Sequence, residues 1–262
     1  MNIDRKKRTM PKLAKQKGLS LIELMIAMGL GLFLVAVALT LFVGISTTGS
    51  ATDGLAATQE NGRFSLTLLS RDLRLAGYRN PENGAANDPF YSLACDWADP
   101  CTAEGGGTNS DRVAIWYDPP ADDDSEVDCT GADLDADTYI ANVYFIQDGN
   151  LMCHGWNSVT EDWVADDPVP LIQGVDNMQV LYGISNGNRI EQYVEADAVT
   201  NWLDVASVRM GFLVNNGQGI ASEHDDDADY SVLGVDLNFT DKVVRKVYTT
   251  TVAVNNAPQH LQ

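Results

Sequence analysis

From Leu19 to Ile45 the chain is almost continuously apolar, and Glu23 is its only charged residue. A bilayer needs about 20 such residues, so this run predicts a membrane-spanning helix. Beyond it the apolar positions thin to Leu55, Phe64, Leu68, Leu69, Leu73 and Ala76, a spacing that predicts an amphipathic helix. Arg71, Asp72 and Arg74 are expected on its wet side, with Gly77 as the stop. No proline occurs from Leu19 to Asn80, while Gly44, Gly49, Gly54 and Gly62 are candidate breaks or bends. After Pro81 the pattern shortens, and Gly, Asn, Asp and Ser punctuate β-rich runs. The expected strands are 112–117, 139–146, 150–155, 177–184, 206–214 and 242–254. Asp148-Gly149 between two of them predicts a hairpin turn. The predicted class is α+β: a long N-terminal α-helix, membrane-spanning in its first half, packed on a C-terminal antiparallel β-sheet domain.

Charge sharpens the topology. The net charge of the 262 residues is −20. Arg5, Lys6, Lys7, Arg8, Lys12, Lys15 and Lys17 against Asp4 give residues 1–18 a charge of +6, which leaves −26 for everything after Gly18. A body that acidic repels nucleic acid, which is excluded as a partner. The basic flank places residues 1–18 in the cytoplasm and the remainder outside. A cleaved secretory signal fits less well, because its apolar core is about 7–15 residues and ends in a small-x-small site.

The stretch KG followed by LSLIELMIAMGLGLFLV resembles a type III signal, the class carried by type IV pilins and type II secretion pseudopilins. The resemblance implies cleavage by a prepilin peptidase between Gly18 and Leu19, N-methylation of Leu19, and Glu23 as the fifth mature residue. Leu19 departs from the phenylalanine usual in the family, and Thr40 stands where many pilins have proline. A charge in hydrocarbon costs roughly 2.5–3.5 kcal/mol on insertion scales. Glu23 is therefore expected to pair with the new α-amine of a neighbouring subunit and set the stagger of packed helices. The implied divisions are a leader (1–18), a transmembrane half-helix (19–45), an amphipathic half-helix (46–77) and a β domain (78–262).

The segments QENGRF, RDLRLAGYRN, DCTGADLD, GVDNMQVLYG, WLDVASVRMGFLV and YTTTVAVNN resemble the PilW-like minor pilins, a branch similar to the J-type pseudopilins. That resemblance implies a type IV pilin-like fold and a non-catalytic subunit of a pilus-priming or tip complex. Its partners would be other minor and major pilins, the prepilin peptidase, an inner-membrane assembly platform and a tip adhesin. It would sit in the inner membrane before assembly and in the pilus (fimbrium) afterwards. A secretion pseudopilin and a membrane-anchored periplasmic binding module are the alternatives.

Four cysteines lie outside the membrane in this topology, where disulfides persist. Cys95 and Cys101 close the short loop CDWADPC. Cys153 sits in a hairpin strand and Cys129 leads into its partner region, so the expected bonds are Cys95–Cys101 and Cys129–Cys153. Without a C-x2-C pair these cysteines do not form a zinc pattern. Asp133, Asp135 and Asp137 have the 1-3-5 spacing of a calcium loop, but Thr138 and Tyr144 stand where that loop needs glycine and glutamate. No cofactor is expected, with calcium at Asp133, Asp135 and Asp137, or at Asp225, Asp226 and Asp227, as the alternative. Neither the three histidines (His154, His224, His260) nor any glycine motif marks an enzyme.

Overall fold

The computed structural model describes residues 18, 20–79, 88–96, 98–118, 127–134, 139–187, 189–216, 228–241 and 243–256. The chain divides into two compact units, Met1–Gly49 and Ser50–Gln262. A single helix, α1 (Leu21–Leu73), contributes to both. It contains the only candidate membrane span among the described residues.

In the second unit, α1 is followed by two antiparallel sheets and a hairpin. The first sheet runs β1 (Val113–Tyr117), β2 (Ile140–Gln147), β3 (Asn150–Asn157). The far side of β3 is shared by β4 (Asp162–Trp163) and β5 (Val169–Gln173). The second sheet has the order β11-β8-β6-β7. Its strands are β6 (Val175–Ser185), β7 (Ile190–Val194), β8 (Val205–Asn215) and β11 (Arg245–Ala253). Among the described residues, the strands β9 (Ala228–Val232) and β10 (Val235–Phe239) pair only with each other. The α+β class read from the sequence is the one observed. Asp148 and Gly149 both take positive φ, 51° and 70°, as the β2–β3 turn requires.

The main core lies between α1 and the two sheets. Leu69, Leu73 and Ala76 meet Tyr144 and Cys153 of the first sheet and Met178, Met210 and Phe212 of the second. The outer face of the first sheet has its own cluster, in which Tyr91 and the Cys95–Cys101 loop cover Ala114, Ala141, Val143 and Trp156. On β8, Val208, Met210, Phe212 and Val214 join the main core, while Leu213 packs under the β9–β10 hairpin. That strand is buried on both faces, so alternation alone understates it.

Three expectations need correcting. Leu55 and Phe64 are exposed and do not belong to the packed stripe. Gly54 and Gly62 do not break α1. They are points of close approach, since a Cβ at Gly62 would lie 2.3 Å from the Tyr248 ring and one at Gly54 3.0 Å from Asn216. Asp72 is not on the wet side: it accepts hydrogen bonds from the Tyr144 hydroxyl and from Asn142 Nδ2.

Candidate assembly site

The apolar part of α1, the candidate membrane span, presents apolar side chains on every side. Leu21, Met25, Phe33, Phe42 and Ile45 are among many that remain exposed. Glycines 29, 31, 44 and 49 have open space where a Cβ would stand. A helix apolar all round needs a lipid or helix environment. Glu23 is exposed in the first turn, where the unpaired N–H groups of a helix end favour an acid. Gly18 is exposed, and Leu19 lies outside the described residues. The helix passes through Thr40, whose Oγ1 donates to Val37 O at 2.8 Å.

The second part of α1 is fixed to the β domain by three kinds of contact. Gly62 lies against Tyr248 of β11. Asp72 faces buried Tyr144, whose hydroxyl pKa is raised well above the usual range, first by burial and then by the Asp72 charge. At the helix end Gly77 takes φ of 71°, and Asn256 Nδ2 donates to the carbonyls of Arg74, Leu75 and Ala76 at 3.2–3.4 Å. A remote asparagine therefore does the capping that the last turn cannot do for itself.

The structure contains disulfides Cys95–Cys101 and Cys129–Cys153, with Cα separations of 5.5 and 6.1 Å. The first ties the cover over the outer face of the first sheet. The second ties the 127–134 turn to β3. In that turn Asp128 Oδ1 accepts from Thr130 N, Thr130 Oγ1 and Ala132 N. Its Oδ2 occupies the space where Gly155 lacks a side chain. Of the three candidate calcium ligands, Asp133 is exposed and bridges by backbone to Val127. Asp135 and Asp137, like Asp225, Asp226 and Asp227, lie outside the described residues. Among the described residues no group of three His, Cys, Asp or Glu is arranged to hold a metal.

One polar cluster had no mark in the sequence. Asp111 Oδ1 accepts from Gly105 N at 2.8 Å and Oδ2 from Val180 N at 2.7 Å. Met178 N donates to Ser110 Oγ, and Gln179 Nε2 to Asn109 O. Together they hold residues 105–111 along β6. Beside them Glu104 has one buried carboxyl oxygen with no hydrogen-bond partner. Burial, then the charges of Asp111 and Glu195, push its pKa up to about 7. The spacing EGGGTNSD reads as a plain turn, because the partners on β6 are about 70 residues away.

Residues 13–39 match the prokaryotic N-terminal methylation motif, and residues 140–256 match the family described as Type IV Pilus-assembly protein W. The chain is PilW-like. With the motif ahead of that region, it is a minor pilin of type IV pilus assembly. No curated protein matches the chain. Among solved structures it is similar to a type IV-like pilin, TTHA1219 from Thermus thermophilus. Identity is 15%, covering 76% of this chain and 97% of that one, with a TM-score of 0.43. It is also similar to the GspK-GspI-GspJ complex of the enterotoxigenic Escherichia coli type 2 secretion system. There, identity is 12% over 73% of this chain and 96% of that chain, with a TM-score of 0.34.

Proposed function

We propose that this PilW-like subunit is cut between Gly18 and Leu19, methylated at Leu19, and drawn from the inner membrane into a complex that primes or caps the pilus. Its partners in this reading are other minor and major pilins, the prepilin peptidase, the assembly platform and a tip adhesin. The leader stays cytoplasmic and the β domain stays outside. The role is structural: the subunit supplies contacts and no catalysis, and it uses no cofactor, calcium at Asp133, Asp135 and Asp137 included.

One observation carries the reading. A helix exposed and apolar on all sides begins inside the methylation motif of residues 13–39, and its first turn holds one acid, Glu23. An anchor alone gains nothing from that acid, which raises its insertion cost. An assembly helix gains a partner for the α-amine of its neighbour, and two charges expensive alone offset each other in lipid.

The test is Glu23→Ala beside Glu23→Gln and Glu23→Asp. The Ala and Gln variants are expected to be cut at Gly18 and to stay in the membrane, yet to be lost from sheared fibres. Asp is expected to be intermediate, with its charge intact and one methylene fewer. Fibre-to-membrane ratios equal to the unsubstituted protein in both Ala and Gln variants would remove the assembly role from this carboxylate.

A further inference from the structure

The sheet edges of the β domain are unequal. The outer side of β1 is bridged at Ile115 by Phe90 and receives Tyr91 N at Ala114 O. β4 is two residues long, β5 carries Pro170 and a register shift, and β7 pairs with β6 through another. Short strands, bulges and prolines are the usual protections of an edge. β11 has one exposed lysine, Lys246, near its start, but none of these three devices. Its nine residues pair with β8 in unbroken register, it contains no proline, and no strand among the described residues lies on its other side.

A groove of about 450 Å³ runs between this edge and the last turns of α1, lined by Leu66, Thr67, Ser70, Arg71, Arg74 and Thr250. Arg71 and Arg74 are exposed and have no ion pair among the described residues. Arg63 and Arg245, by contrast, pair with Glu60 and with Asp176 and Asp241. Two unmatched guanidinium groups in a body of charge −26 are an uncommon local excess of positive charge.

We infer that this groove receives an extended acidic segment of a neighbouring subunit, which adds to β11 as a further strand. The open edge supplies N–H and C=O groups for an extended backbone. Arg71 and Arg74 select carboxylates among its alternate side chains. Leu66 offers an apolar contact more than one helical turn before them. The inference rests on the assembly role proposed above.

The experiment places a photo-crosslinking phenylalanine analogue at Thr251, at Ser70 or, as a control, at Val159 in the full-length protein, followed by fibre shearing. Thr251 and Ser70 are expected to cross-link the same acidic stretch of a neighbour, and Val159 is not. Arg71→Glu with Arg74→Glu should reduce that cross-link about tenfold while leaving membrane levels unchanged. Normal fibre content with no cross-link at either position overturns the inference and leaves the assembly role standing. So does a cross-link to a basic segment or one indifferent to the charge reversal. Absence of the unsubstituted protein from fibres overturns both.

Discussion

The two parts of α1 share one secondary structure and face different solvents. From Leu21 to Ile45 nearly every large apolar side chain is exposed and the glycines stand in open space. From Ser50 to Leu73 the helix buries a narrow stripe ending in Leu69 and Leu73, and its glycines touch Tyr248 and Asn216. The first part has no tertiary core of its own, so its contacts must come from lipid or from other helices. The second part has its partners within the chain. Substitutions in the first part should therefore alter assembly with little change in domain stability, and those in the second should do the reverse.

The largest expected break comes from the bond that ties the 127–134 turn to the sheet. Cys129→Ser with Cys153→Ser opens a 24-residue separation and should cost about 3 kcal/mol. Thermal unfolding of the full-length protein in detergent measures it. Glu23→Ala in the same assay should not move the transition.

A glycine pair puts the comparison most directly. Helix propensity alone makes Gly→Ala favourable by about 1 kcal/mol. Gly31→Ala should show that or no change, because nothing lies within 4 Å of its added methyl group. Gly62→Ala should instead destabilise by about 1–3 kcal/mol, since the methyl group would enter the Tyr248 ring. A Gly62→Ala protein as stable as the parent would show that Tyr248 swings aside freely and that the close approach fixes nothing.

Why this contrast was only half legible follows from range. The apolar run and the six predicted strands announce themselves through periodicity along the chain. β11 was expected from 242 and begins at Arg245, and β6 and β8 extend slightly beyond their expected bounds. Three of the strands that were missed lack such a pattern. β4 has two residues, β5 includes Pro170, and β7 is mostly exposed. β9 and β10 do alternate, as ADYSV and VDLNF, but they adjoin the acidic run 223–229, which reads as a solvated loop. Asp72 looked solvated because its neighbours Arg71 and Arg74 are. Its actual partners, Asn142 and Tyr144, are about 70 residues away and carry no local signal. Gly62 looked like a weak point in a helix for the same reason.

Asp72→Ala tests that remote contact and should have an effect of the same order. It removes the acceptor of the Tyr144 hydroxyl, which is fully buried, and of one Asn142 hydrogen atom. Leaving a buried hydroxyl without a partner costs about 1–3 kcal/mol. Adding Tyr144→Phe should recover part of the loss, because the unmatched group goes with it. Additive losses in the double variant would mean that the two side chains act independently.

The smallest effect is a pH dependence confined to the β domain. The ordinary pKa of Glu104, 4.5, is raised to about 7 by burial and then by the charges of Asp111 and Glu195. A raised carboxyl pKa means that the folded state holds the proton more tightly than the unfolded chain. The stability it contributes is complete below pH 4.5, falls as pH rises towards 7, and is gone above that. Glu104 is partly exposed, so solvent screening reduces the effect to about 1 kcal/mol. Asp111 is less able to take the proton, because both its oxygens already accept backbone N–H groups. Glu104→Gln should therefore flatten the stability profile between pH 4.5 and 7 and make the protein more stable than its parent at pH 8. Hydrogen exchange at Gly105 and Val180 N–H locates the change, since both donate to Asp111, which closes the 105–111 turn and ties it to β6. An unchanged slope in the Gln variant would move the titration to another carboxyl. Membrane insertion and fibre entry should not respond to this substitution, because nothing in the apolar part of α1 depends on the charge at Glu104.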